Sequence, residues 1–121
     1  MFYRLIEEYS SIISDYSVED FRRYGIASSL VARIEFIDES LLYIKDYLFL
    51  NGKRKYSYHW QTKEGDLRSR WDNSPHHENI STFPHHKHTP NGVTKSHSRN
   101  LNEILKMISE DITKNITNVA E

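Results

Sequence analysis

The chain has 121 residues, 37% of them hydrophobic and 27% charged, which fits one globular domain around one core and excludes wholesale disorder. It contains no cysteine, so a disulfide framework, a thiolate zinc site and a cysteine nucleophile are excluded together. The formal net charge of −1 hides an uneven distribution: residues 1–52 carry five Lys/Arg against nine Asp/Glu, residues 53–100 nine against four with all seven histidines, and residues 101–121 two against four. Such asymmetry points to an anionic partner for the middle segment.

Phe2, Leu5, Ile6, Tyr9, Ile12, Ile13 and Tyr16 recur at helical spacing, with Arg4, Glu7, Glu8 and Ser11 between them. This spacing predicts an amphipathic helix over 2–16, followed by a further helical turn from Val18 to Tyr24 that ends at Gly25. The early glutamates do not fit a secretory or transit peptide. From Ser28 the period becomes two, with Leu30, Ala32, Ile34 and Phe36 on one face of a strand. After a turn at Asp38-Glu39-Ser40, Leu41 to Phe49 forms a second strand, interrupted only by Lys45 and Asp46. The run 41–50 is too short for the ~20 apolar residues of a membrane span. The chain is therefore expected in the cytoplasm, with no membrane partner, and its two Asn-x-Ser/Thr triplets are read as chance.

Asn51-Gly52 predicts a type I′ hairpin turn. Arg54 to Gln61 is a third strand, with Tyr56, Tyr58 and Trp60 opposite Lys55, Ser57, His59 and Gln61. Glu64-Gly65-Asp66 turns into a fourth, Leu67 to Asp72, in which Arg68 and Arg70 oppose Leu67, Ser69 and Trp71. From Asn73 to Ser98 the pattern is lost, although Phe83–His88 could add an edge strand. Asn100 and Glu103 have capping-box spacing before a second amphipathic helix through Leu101, Ile104, Leu105, Ile108, Ile112 and Ile116. The predicted fold is α+β: a four-stranded antiparallel meander, five with the edge strand, packed against an N-terminal and a C-terminal helix.

Three constellations could carry chemistry. The histidines His76-His77 and His85-His86-Lys87-His88 could hold zinc with Asp72 or Glu78, and in a strand His86 and His88 share a face. No zinc signature matches their spacing, so no metal or other cofactor is expected, and a polar loop of locally bonded histidines is the plainer reading. Second, cleaving RNA without a metal needs a base, an acid and cations for the charged phosphorane. His59 beside Arg68 or Arg70, joined by a histidine from 76–88, could supply all three, unless the arginines are solvated or paired with carboxylates. Third, aromatics interleave with Lys53, Arg54, Lys55, Arg68 and Arg70, a pattern that stacks bases while holding phosphates. Strand alternation favours a core role for Tyr56, Tyr58, Trp60 and Trp71, which leaves a cationic face opposite.

Residues 56–88, YSYHWQTKEGDLRSRWDNSPHHENISTFPHHKH, contain a His-Trp strand end, a turn, Arg-Trp-Asp-Asn-x-Pro-His-His and then Phe-Pro-His-His-Lys-His, before a closing amphipathic helix. This combination resembles the TumE family, proposed toxins of type II toxin–antitoxin pairs. The resemblance implies a toxin neutralised by a small helix-turn-helix antitoxin, with RNA cleavage as the activity usual for small toxins of this shape. By motif match His59, Arg70, Asp72, Asn73, His76, His77, His85, His86, Lys87 and His88 carry over, while 89–100, with His97 and Arg99, match nothing. The expected catalytic set is His59, Arg70, Asp72 and His85, His86 or His88. The expected RNA-binding set is Lys53, Arg54, Lys55, Arg68, His76, His77 and Lys87. A non-catalytic nucleic-acid-binding or regulatory protein and a histidine-rich metal binder stand as alternatives, and a homodimer is left open.

Overall fold

The computed structural model describes residues 1–120, with side chains as far as Ile116. Helix α1 (Phe2–Glu8) leads into a seven-stranded antiparallel sheet: β1 (Ile13–Tyr24), β2 (Ala27–Phe36), β3 (Leu41–Leu48), β4 (Arg54–Gln61), β5 (Leu67–Asp72), β6 (His86–Thr89) and β7 (Gly92–Lys95). Helix α2 (Leu101–Ala120) closes the chain. The strands pair in chain order, so the sheet is one continuous meander with β1 and β7 at its edges.

The α+β class and both flanking helices agree with the periodicity, but the sheet has seven strands and not four or five. The first extra strand is β1, where a longer helix is predicted. Its register with β2 slips between Ile13 and Asp15 and again between Val18 and Asp20. Each slip inserts one residue and flips the alternation, so the period of two is lost to inspection. The other extra strand is β7, which pairs with β6 around Pro90-Asn91 and takes the edge position from it.

Ala32, Ile34, Leu42, Ile44, Tyr56, Tyr58, Trp60 and Trp71 point to one sheet face and are buried there with Phe2, Leu5 and the α2 stripe Leu101, Ile104, Leu105, Ile108 and Ile112. Ile116 extends the stripe by sequence but is exposed. The capping box forms in both directions: Glu103 N donates to Asn100 Oδ1 at 2.9 Å, and Asn100 N to Glu103 Oε1 at 3.3 Å. The Trp60 indole N–H, which burial would otherwise leave unpaired, donates to Ser40 Oγ at 2.9 Å.

Three consecutive hairpins share one loop design. Between β3 and β4, Gly52 N donates to Phe49 O and Phe49 N to Lys53 O; between β4 and β5, Gly65 N donates to Thr62 O and Thr62 N to Asp66 O. Gly52 and Gly65 close these loops at φ of 83° and 95°. The Asn51-Gly52 loop is thus a three-residue connection in which only the glycine has positive φ, rather than a type I′ turn. Between β2 and β3 the same bonds recur, Glu39 N to Phe36 O and Phe36 N to Ser40 O, with Glu39 at φ 70° in the glycine position. A side chain in the left-handed region costs roughly 1–2 kcal/mol, and glycine's extra unfolded-state entropy returns part of that. Glu39 also pairs with Lys63, but both are exposed and the pair contributes little. Glu39→Gly should therefore stabilise the fold by about 0.5–1 kcal/mol, read as a Tm rise of a few degrees, whereas Glu39→Val should lower Tm.

Candidate functional site

The face of the sheet turned away from the helices carries the polar residues, and register alone places them. One row across the strands reads Arg33, Tyr43, His59, Arg70, His88, Val93, and the next reads Val31, Lys45, Ser57, Asp72, His86, Lys95. His59, Arg70 and His88 are therefore immediate neighbours on β4, β5 and β6, and Asp72 and His86 lie beside them. Asp72 and His86 are only 3% and 2% exposed although they lie on this outer face.

Asp72 is the centre of the cluster. Its Oδ1 lies 2.9 Å from His86 Nε2 and accepts from the Ser74 backbone N–H at 3.0 Å. Its Oδ2 accepts from Arg70 Nε at 3.1 Å and lies 3.4 Å from His88 Nε2. His86 Nδ1 donates to the Pro84 carbonyl at 2.9 Å, which turns Nε2 toward the carboxylate. The Nε2 atoms of His86 and His88 are 3.0 Å apart. His77, from the segment between β5 and β6, sets its ring against both, with centroids at 4.8 Å from His86 and 5.5 Å from His88. On the other side of Arg70, Nη1 lies 3.4 Å from His59 Nδ1, and His59 Nε2 lies 3.1 Å from Gln61 Oε1.

Burial pushes the Asp72 carboxyl up, but the Ser74 N–H, His86 and Arg70 together outweigh it and hold the group below the usual carboxylate range. Burial lowers His59, and the charge of Arg70 lowers it further, against the bond to Gln61. Burial also lowers His88, a shift that Asp72 opposes and that His86, His77 and Arg70 reinforce.

The structure divides the residues singled out by sequence. His59, Arg70, Asp72, His86 and His88 come together, and His77 joins them. His85 does not: its odd position sends it to the helix face, where Nδ1 lies 2.9 Å from Tyr56 Oη and the ring stacks on that tyrosine. Lys87 likewise faces Trp71, its Nζ 5.3 Å from the ring centroid, and so stands away from His86 and His88. Arg68 leaves the face of Arg70 because β5 bulges: Trp60 pairs with Ser69 and Gln61 with Leu67, leaving Arg68 between them. It lies over Trp60 and pairs with Asp38 at 2.9 Å. Arg54 is clamped on the helix face by both Asp46 oxygens at 2.9 Å and by Tyr58 Oη at 2.6 Å. Asn73 is structural, donating to Arg54 O at 2.8 Å and accepting from Tyr56 N at 3.0 Å. His76 is exposed on the same segment as His77, Lys53 is exposed in its hairpin loop, and Lys55 is exposed on the outer face. Sequence reasoning did not single out Lys45 and Lys95 as site residues on that face, nor Gln61, which it places on the same strand face as His59.

His59, His85 and His88 are all lowered from the ordinary histidine value, His85 chiefly by burial and then by Arg54. A depressed folded-state value means that folding favours the neutral ring. Its contribution is complete above the unfolded value of about 6.5 and is lost as pH falls through the lower folded value. Asp72 adds a second loss below the ordinary carboxylate value. Stability should therefore decline as pH falls below about 6.5, seen as a falling urea midpoint, and His59→Gln should flatten that decline. An unchanged midpoint across this window would contradict the burial of neutral imidazoles.

No helix among the described residues is long and apolar enough to cross a membrane. Neither a curated protein nor a solved structure matches the chain. One family model, described as Toxin TumE, matches residues 2–115, nearly the whole length and all seven strands, including those that carry the histidine cluster. The chain belongs to the TumE toxin family.

Proposed function

We propose that this toxin cleaves RNA and that the row His59–Arg70–His88 carries the reaction, with a helix-turn-helix antitoxin as its neutralising partner. The observation that carries this reading is a guanidinium flanked on both sides by an imidazole. Neighbouring strands lie about 4.8 Å apart, so the backbones of His59 and His88 stand roughly 10 Å apart with Arg70 between them. A phosphodiester seated on Arg70 has one histidine on either side, as an in-line displacement requires.

In the proposed step His59 takes the proton of the 2′-hydroxyl. The 2′-oxygen attacks phosphorus, the bond from phosphorus to the 5′-oxygen breaks, and His88 delivers a proton to that leaving oxygen. The products are a 2′,3′-cyclic phosphate and a free 5′-hydroxyl. Arg70 stabilises the charge that builds on the phosphoryl oxygens. Asp72 fixes both Arg70 and His88 and so acts as a positioning residue. Lys45 and Lys95, both exposed and flanking the cluster in the next row, would hold neighbouring phosphates.

Purified protein should cut single-stranded RNA and leave an oligomer with 2′-deoxy sugars intact. His59→Ala and His88→Ala should each lower the rate by about 10²–10⁴-fold, the usual contribution of a general acid or base. Both rings titrate below the ordinary histidine value, so kcat/KM should follow a bell with its maximum on the acid side of about 6.5. A maximum above neutrality, or wild-type rates in both variants, would refute the assignment.

RNA binding should weaken as salt rises, because phosphate contacts release counterions, with a slope of about −0.7 per contact on a single strand. Lys45→Ala together with Lys95→Ala should reduce that slope, while Lys87→Ala, on the other face, should leave it unchanged. Binding that responds in this way without any cleavage would favour a non-catalytic nucleic-acid-binding protein.

A further inference from the structure

We propose that His77, His86 and His88 form a binding site for one divalent transition-metal ion of the zinc class, with the Asp72 carboxylate or a water in the fourth position. The ligand atoms of the three histidines all lie within 4.8 Å of one another. Four ligands placed tetrahedrally at about 2.0–2.1 Å from zinc are about 3.3 Å from each other. Three distances in the cluster are already near that spacing: His86 Nε2 to His88 Nε2 at 3.0 Å, His86 Nε2 to Asp72 Oδ1 at 2.9 Å, and His88 Nε2 to Asp72 Oδ2 at 3.4 Å. Only His77 has to move inward, and it lies on the irregular segment between β5 and β6.

The surroundings fit a metal as well as the ligands do. A metal-binding imidazole usually gives its other ring N–H to a carbonyl or carboxylate, which fixes the tautomer and aims the lone pair. His86 makes that bond, from Nδ1 to the Pro84 carbonyl. The two Nε2 atoms face each other at 3.0 Å, placed for one ion to bond to both. Asp72 supplies the negative charge, and because Arg70 takes Oδ2, it is Oδ1 that is directed at His86 and the ion. Three imidazoles favour zinc, cobalt, nickel or copper over magnesium or calcium, which prefer oxygen. The sequence pointed the other way because these histidines follow no zinc-motif spacing: two come from alternate positions of one strand and the third from a loop nine residues before the first of them.

Resting on the ribonuclease reading, one consequence follows for activity. The ion and the reaction need the same lone pair on His88 Nε2, so a bound metal would inhibit RNA cleavage. The metal site itself does not depend on that reading and is tested without RNA. Untagged protein is titrated with Co²⁺ and followed by its visible absorption, then back-titrated with Zn²⁺. One Co²⁺ per chain should bind with the intense bands of a four-coordinate site, Zn²⁺ should displace it, and Mg²⁺ should not. His77→Ala, on a surface segment, should weaken binding at least tenfold at an unchanged far-UV circular dichroism spectrum. His76→Ala, one residue away but outside the cluster, should bind as wild type does. Absence of the bands, or equal losses in His76→Ala and His77→Ala, would overturn the site. In the cleavage assay Zn²⁺ should inhibit wild type at lower concentration than it inhibits His77→Ala. If the wild type binds one ion and cuts no RNA, the ribonuclease reading fails and the metal site stands.

Discussion

A residue in a β-strand can turn its side chain to only one face of the sheet, and in this protein that constraint decides which residues meet. Each strand from β2 to β6 pairs with the next over several residues, so a position on one strand fixes its neighbours on all the others. The helices need one face for Ile34, Leu42, Tyr58, Trp60 and Trp71, and this assigns Arg33, Tyr43, His59, Arg70 and His88 to the other. Slipping any central strand by one residue would bury charge under α2 and expose the aromatics, so the fold cannot change register cheaply. The polar rows are thus held in place by the apolar core on the far side of the same backbone.

Within those rows Asp72 sets the local terms. A carboxylate withdrawn from water costs several kcal/mol unless it is paired and hydrogen-bonded. Asp72 meets that demand with a backbone N–H, a guanidinium and two imidazoles. The side chains that compensate it are themselves the groups suited to chemistry. Removing the carboxylate would leave Arg70 and two histidines facing one another without a counter-charge. The cluster is in this sense one unit, and its members cannot be assigned independent energies.

Much of this was legible in the sequence. The strands from Leu30 to Asp72 show because their apolar residues alternate cleanly, and the α2 stripe shows because its period is 3.6. Strand β1 was hidden by its two bulges, which leave Ile12, Ile13 and Tyr16 at spacings that imitate a helix. Strand β6 showed only as an edge strand that Phe83–His88 could add, because its outer-face residues His86 and His88 are histidines, which no hydrophobic pattern detects, and β7 was hidden. The shared face of His86 and His88 follows from their spacing. The same parity excludes His85 and Lys87, a separation that is lost when the run is treated as one cluster. Arg68 could not have been placed, since it lies at a bulge that only pairing geometry shows. The partnership of His77 depends on the path of an irregular segment and has no local signature.

The strands that carry the site differ in length. His59 stands on an eight-residue strand at the middle of the sheet, whereas His86 and His88 stand on β6, four residues long, whose outer neighbour β7 is equally short and forms the free edge. Short terminal hairpins open at lower free energy than central strands. The cluster therefore spans a stability gradient, with one half on a central strand and the other on the short hairpin at the edge. Whatever grips Asp72 and both β6 histidines together also clamps that hairpin closed, and its affinity is lowered by whatever work the clamping requires.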